Sequence, residues 1–443
     1  MSFFRPVKIF LIIAFAIVFF LGDITSTFSY KRESEKNIHS YGPRSFAHKL
    51  NNSVSDYQGT AAIDSIFSEF LIRHDIKGAS VAVTKKGKLV YARGLGYANY
   101  LDSTETAPWN LFRIASVSKL ITATAILKLA ESGKLNLEDK VFGNTGWLND
   151  PLFLNYTDKR IEDITVYHLL THTSGWNHKR YDPVFGPLVV AGRYRKKQAV
   201  DITDLIRFTL ERKLDFNPGS KYSYSNTGYC ILGEIIERAS GMPYEDYVQF
   251  TLLHPLGIYN MRIGKSFPEE MPAEEVMYYV NGKLCLYPSY DGSGLRVPLQ
   301  YGGNDIELLG PAGGWIASAP ELAKLIVALD GFSSHPDILS KHSVRLMTRH
   351  NKSINQLLGW RGNDGRGTWW RTGTLTGTAA LIMRFNNDTN WVILLNTTSS
   401  KKSRVHNEMS KAIYRCMGQV KDWPCLLYTS DAADEEDSVD LGG

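Results

Sequence analysis

The chain has 443 residues, 43% of them hydrophobic and 12% aromatic. That is enough apolar material for one large domain or two intimately packed lobes. The net charge of +5 is spread along the length, with acids and bases interspersed. No basic stripe with interleaved aromatics occurs, so nucleic-acid binding finds no support, and no repeat of fixed period suggests a solenoid.

Arg5 and Lys8 precede the unbroken apolar run Ile9 to Leu21. The run is short for a membrane span and suits a signal-peptide core within residues 1–29, with small residues at Thr27 and Ser29. An uncleaved anchor is the competing reading, and only that reading gives the protein a membrane contact. A mitochondrial presequence fits less well, because the segment is not an Arg-rich amphipathic helix. The expected location is therefore secreted. Residues 30–58 are polar and read as a linker. A helix is predicted over residues 60–76, where Ile63, Ile66, Phe67 and Phe70 recur at helical spacing. Two β-rich runs then flank Lys85-Lys86-Gly87-Lys88, which predicts a hairpin with a glycine turn.

The stretch from Leu111 to Leu135 is apolar on nearly every side, yet its first turn carries Ser116, Ser118 and Lys119. An ammonium in such a setting is costly unless it is paired, hydrogen-bonded or neutralised. Farther on, residues 227–241 predict an amphipathic helix ending at Gly241, with Tyr224, Ser225 and Asn226 on the loop before it. Residues 378–399 predict a second hairpin turning at Asn386 to Thr389, and residues 401–418 a closing helix. The coarse expectation is an α+β fold: an antiparallel β-sheet with strands from both chain ends, flanked by helices and carrying a helical insert. Extent and strand order stay open.

Four cysteines (Cys230, Cys285, Cys416 and Cys425) make no disulfide framework and allow at most one bridge. Sequons at Asn51, Asn155, Asn351, Asn387 and Asn396 suit a glycosylated secretory product. Residues 425–443 are acidic and poor in apolar residues, and resemble a translated sequencing adaptor. They are set aside as a non-native tail, which leaves residues 59–418 as the expected domain and an odd number of native cysteines.

Three short motifs carry chemistry. Ser116-Val117-Ser118-Lys119 is an S-x-x-K, which on a helix sets the serine and lysine on one face. A helix start favours the developing negative charge of an attacking serine, and a lysine kept from water can accept a proton near neutral pH. A cap serine with a snorkelling lysine is the plainer reading. Tyr224-Ser225-Asn226 is the second motif; alone it reads equally as a half-buried tyrosine and a helix cap at Asn226. Arg371-Thr372-Gly373-Thr374 is the third, opening the strand that leads into the second hairpin. Its glycine lets a ligand approach the backbone closely, and the alternative is a turn before a strand.

Their joint order resembles the serine β-lactamase and penicillin-binding-protein superfamily, and more closely its class C-like, β-lactamase-related branch, which includes D-aminopeptidases, serine esterases and animal serine β-lactamase-like proteins. The resemblance extends through Ile164 to Gly175, Tyr222 to Val248 and Gly310 to Ile326, and covers roughly residues 60 to 415. It implies a nucleophile at Ser116, its proton partner at Lys119 and shared base work at Tyr224. It implies substrate binding by Asn226, Arg371, Thr372, Gly373 and Thr374, with an oxyanion hole from the backbone N–H groups of Ser116 and Thr374. No metal or organic cofactor is expected.

The third motif usually begins with lysine or histidine. Arg371 keeps the charge and could hold a substrate carboxylate by its planar fork, but it cannot give up a proton. Thr376 stands where many relatives carry proline. His168 and His172 are four apart on an expected helix, but no glutamate follows the first, as a zinc hydrolase would require. Trp360, Trp369 and Trp370 flank the third motif and read either as pocket lining or as core. The function expected is a serine hydrolase cleaving an amide or ester of a small-molecule or peptide substrate through an acyl-enzyme. The alternative is a catalytically inactive relative with a binding or filament-forming role. Substrate identity and oligomeric state stay open.

Overall fold

The computed structural model describes residues 50–424, except 180, 284, 350–356 and 399–404. The apolar N-terminal segment, most of the polar linker and the C-terminal tail lie outside the described residues.

Seven strands form one antiparallel sheet: β1 (Gly78–Lys85), β2 (Lys88–Asn99), β3 (Thr104–Glu105), β4 (Gly362–Asn363), β5 (Trp369–Leu375), β6 (Thr378–Phe385) and β7 (Thr389–Leu395). Their order across the sheet is β4-β5-β6-β7-β1-β2-β3. Strands from the two chain ends therefore meet at the centre, where Ala79 to Lys85 face Leu395 to Thr389 in register. The first hairpin turns on Lys86 and Gly87, both left-handed at φ 50° and 73°, as a two-residue hairpin turn demands. The Lys86 N–H donates to the Asp388 carbonyl at 2.9 Å and ties the two hairpin turns together.

Strand alternation divides the sheet between two cores. Ala82, Ala92, Ile382, Val392 and Leu394 face one. Val81, Val83, Leu381, Met383, Trp391 and Ile393 face the other. That second face is covered by helix α1 (Ala61–His74) and the closing helix, whose Ile63, Phe67, Met409 and Ile413 are buried against it. Because both faces are covered, the central strands read as continuous apolar runs.

The first face carries the helical insert. At its centre is α2 (Ser118–Glu131), buried at every position from Ser118 to Leu127. A helix buried all round has to satisfy its polar side chains internally. Thr122 does so, with its hydroxyl 2.8 Å from the Tyr244 hydroxyl and donating to the Pro311 carbonyl at 2.6 Å. Helix α3 (Asn226–Ser240) belongs to the same core and ends on left-handed Gly241. The closing helix, α4, spans Val405–Gln419.

The folded body reaches beyond residues 59–418. Ser55 exchanges hydrogen bonds with the Ala92 backbone, and the Asn52 side chain accepts from the Gly94 N–H. At the other end Trp423 packs on Trp391, ring centres 6.0 Å apart. Of the sequons, Asn396 is fully buried and donates to the Tyr97 carbonyl, so a glycan there is incompatible with this fold. Asn51, Asn155 and Asn387 are exposed. Cys230 and Cys416 are buried, Cys285 is exposed, and all three are free thiols.

Candidate active site

The segment before α2 is held in a strained shape. Phe112–Arg113 pairs with Trp315–Ala317, and the chain then turns through Ala115 at φ 49°. A left-handed alanine costs roughly 1–2 kcal/mol and persists only where its surroundings fix it. Ser118 supplies part of that fixation, donating to the Ala115 carbonyl at 2.7 Å and accepting from the Trp315 N–H at 3.2 Å. Ser116 thus lies in a short 3₁₀ turn, Ala115–Val117, and α2 begins two residues later.

Strand β5 closes on this turn at Gly373. A Cβ there would sit 2.2 Å from the Ile114 carbonyl oxygen and 3.1 Å from the Ser116 nitrogen, so only glycine allows the approach. It brings the backbones of Ser116 and Gly373 side by side. The third motif lies inside strand β5 rather than opening it, because Trp369 and Trp370 already pair with Arg384 and Met383. Arg371 and Gly373 share the face toward α2. Thr372 takes the opposite face by alternation, and Thr374 is exposed near the strand's end.

Lys119 is wholly buried. Its ammonium donates to the Ala312 carbonyl and to Asn226 Oδ1 at 2.8 Å, and lies 3.4 Å from Ser116 Oγ. Burial pushes its pKa down from the ordinary lysine value. The Tyr224 hydroxyl lies 2.8 Å from Ser116 Oγ. Arg371, 2% exposed, donates from Nε to the Ser116 carbonyl at 2.7 Å and from Nη2 to the Tyr224 hydroxyl at 3.1 Å. Burial by itself raises a tyrosine pKa, but the charges of Lys119 and Arg371 outweigh it and bring Tyr224 down to about 7. The fold thus gathers Ser116, Lys119, Tyr224, Asn226 and Arg371 into one hydrogen-bonded cluster.

Several supports of this cluster carry no local signal in the sequence. Asp182 accepts from the Asn226 N–H at 2.8 Å, from Asn226 Nδ2 at 3.0 Å, and from the N–H and hydroxyl of Thr227. It orients the amide so that Oδ1 meets Lys119. Although burial opposes ionisation, His178 and these donors hold the Asp182 carboxyl well below the usual range. Ser225, not Asn226, caps α3, accepting from the Gly228 N–H at 2.7 Å. His172 follows the short helix Val166–Leu170 in a left-handed conformation, so it does not share a helix face with His168. Its Nδ1 accepts from the Ser225 N–H, which puts the ring proton of the neutral form on Nε2. The ring packs 4.5 Å from that of Tyr224 and 5.1 Å from that of Tyr229. Burial and the nearby cations keep His172 neutral. His168 instead accepts from the Thr165 N–H at the start of its helix. Among the described residues no three His, Cys, Asp or Glu side chains are grouped to hold a metal ion.

Of the tryptophans, Trp360 is buried and pairs with Trp369 at 5.7 Å, and both belong to the core on the α2 side. Trp370 packs into the opposite core. They read as core rather than pocket lining.

The beta-lactamase family model matches residues 63–414. Penicillin-binding protein 4* of Bacillus subtilis (strain 168) is 31% identical over 222 residues, 50% of this chain and 44% of that protein. Esterase EstB of Burkholderia gladioli is 31% identical over 246 residues, 55% of this chain and 59% of the esterase. The chain thus spans about half the length of these curated relatives. Among solved structures, the octameric penicillin-binding protein homologue from Pyrococcus abyssi matches with a TM-score of 0.60 and 26% identity, over 83% of this chain and 79% of that one. The α+β fold expected from the sequence is the fold of this family.

Proposed function

The chain belongs to the beta-lactamase family, and from that premise we propose that it is a serine hydrolase that cleaves an ester or amide through an acyl-enzyme on Ser116. The observation that carries this reading is the Tyr224 hydroxyl, 2.8 Å from Ser116 Oγ and flanked by the cations of Lys119 and Arg371. A phenol acidified to about 7 is a base of the right strength at neutral pH.

In this reading Ser116 Oγ attacks the substrate carbonyl carbon while its proton passes to the Tyr224 phenolate. The carbonyl π electrons move onto the oxygen, which the backbone N–H groups of Ser116 and Thr374 stabilise. When the tetrahedral intermediate collapses, the bond to the leaving group breaks and Tyr224 returns the proton to the departing oxygen or nitrogen. Water then attacks the acyl-Ser116 carbonyl carbon while Tyr224 takes the water's proton; the bond from the acyl carbon to Ser116 Oγ breaks, Tyr224 returns the proton to Oγ, and the acid is released with the serine hydroxyl and the phenolate restored. Lys119 holds the phenolate by charge and, through Asn226, joins the base to the wall that receives the substrate chain.

Carboxyl esters and D-peptide amides are the substrate classes to screen first. The expected result with an activated ester is a burst of alcohol equal to the enzyme present, which Ser116→Ala abolishes. Turnover that survives Ser116→Ala would refute the acyl-enzyme.

A further inference from the structure

In the proposed reaction one oxyanion donor is the backbone N–H of Thr374. The carbonyl of that same peptide group belongs to Gly373. Across a planar, resonant amide the two ends respond together. A proton donated to the oxygen polarises the N–H, and it also fixes the plane in which the N–H points. Whatever holds the Gly373 carbonyl therefore bears on how Thr374 donates.

A donor stands there. His406, in the first turn of α4, places Nε2 3.1 Å from the Gly373 carbonyl oxygen. A carbonyl only accepts, so the ring carries its proton on Nε2. Burial pushes the His406 pKa below the ordinary histidine value, with the bonds to the Gly373 and Ala380 backbones opposing it. The ring is neutral at pH 7, and its one proton is the one on Nε2. Gly373 and Ala380 are register partners across β5 and β6, so the imidazole sits against the rung of the ladder that meets the Ser116 turn. Val405, Met409 and Ile413 anchor α4 in the second core. The Gly373–Thr374 peptide is thus gripped from both faces of the sheet. On the α2 face a Cβ at Gly373 would lie 3.1 Å from the Ser116 nitrogen, and His406 comes from the helix on the other. This histidine takes no part in the proton transfers proposed above.

We propose that His406 is a positioning residue for catalysis, donating from Nε2 to the Gly373 carbonyl so that the Thr374 N–H is aimed at the oxygen of the tetrahedral intermediate and strengthened toward it. This rests on the hydrolase reading and adds to it a residue of the closing helix that touches no substrate. Such support acts on the transition state more than on bound substrate, because charge on that oxygen develops only there.

Three variants of the full chain test it with 4-nitrophenyl butyrate. His406→Leu removes the donor. His406→Asn keeps a polar amide too short to reach. His406→Gln returns an amide N–H near the place of Nε2. In His406→Leu and His406→Asn kcat should fall about tenfold with KM unchanged, short of the roughly hundredfold or more that loss of a whole oxyanion donor costs. The inhibition constant of butylboronic acid, whose tetrahedral adduct on Ser116 carries an oxygen in the same place, should rise by the same factor. His406→Gln should recover most of both losses. Circular dichroism melting of each variant reports on the fold, and the comparison of His406→Asn with His406→Gln decides the matter should His406→Leu not fold. A kcat within about threefold of wild type in His406→Asn, a loss that falls on KM instead, or a His406→Gln as impaired as His406→Asn overturns the role of His406. A wild-type protein that the ester does not acylate at Ser116 overturns the hydrolase reading, and this inference with it.

Discussion

Arg371 donates to the carbonyl of Ser116 at 2.7 Å, so the cation of the third motif holds the very residue expected to react. Its second bond, to the Tyr224 hydroxyl, links Ser116 and Tyr224 through one rigid group. Lysine, a point charge on a flexible stem, could not serve both acceptors in the same fixed geometry.

Activity should therefore follow the ionisation of Tyr224. If the phenolate is the base, as proposed, kcat/KM for a neutral ester should rise with pH, with a midpoint near 7, and level off above it. The midpoint belongs to the coupled Lys119–Tyr224 pair, which shares one ammonium and one hydroxyl over Ser116. A profile that is flat from about pH 5.5 to pH 9 would exclude Tyr224 as the base.

Removing the Arg371 charge should weaken that base in a defined direction. In Arg371→Met the midpoint should move up by about 1–2 pH units, because a cation in contact normally favours the phenolate by that order. Neutral and anionic esters should lose activity by the same factor. A loss confined to anionic esters would make Arg371 a carboxylate receptor instead.

Much of this site is legible in the sequence, because part of it is local. The i, i+3 spacing of Ser116 and Lys119 brings them together on any helical turn, and Tyr224 and Asn226 precede an amphipathic helix whose apolar period is plain. The hairpins are equally readable, since Lys86-Gly87 and Asn386 to Asp388 interrupt β-rich runs. What stays hidden is long-range. Asp182 reaches Asn226 across 44 positions with no local pattern to announce it. Arg361 meets Tyr222 across 139. Histidines at 168 and 172 have helical spacing, and nothing in that spacing shows that the chain reverses at His172. The fit at Gly373 is fixed by Ile114, more than 250 residues earlier in the chain.

Gly373→Ala tests that fit. The added methyl would meet the Ile114 carbonyl, which is backbone and cannot swing away. We expect a loss of about 1–3 kcal/mol in unfolding free energy, together with loss of acylation. Gly192→Ala is the control. It lies in the helix Pro187–Tyr194 with open space around it, and should gain up to about 1 kcal/mol from helix propensity. If Gly373→Ala melts and acylates like the wild type, the close approach of β5 to the Ser116 turn is not needed.

Asp182→Ala should strip the anchor from Asn226 and Thr227 and leave four donors facing a void. Loss of a buried, hydrogen-bonded carboxylate costs about 3 kcal/mol or more, measurable by urea unfolding at pH 7. The sign with pH is fixed by its depressed pKa. The contribution is present above the ordinary aspartate value of about 4 and fades as the pH falls through the folded value. The stability gap between wild type and Asp182→Ala should accordingly narrow in acid. An unchanged gap at low pH would mean that Asp182 acts by packing alone.

The proposed nucleophile admits the most direct measurement. The full chain is incubated with a fluorophosphonate, digested, and the adduct located by mass spectrometry. A serine activated by Tyr224, Lys119 and Arg371 should carry one adduct, on the peptide containing Ser116, and Ser116→Ala should carry none. Wild-type protein that stays unlabelled beside a reacting reference hydrolase, or an adduct that survives Ser116→Ala, would contradict the assignment of Ser116 as nucleophile.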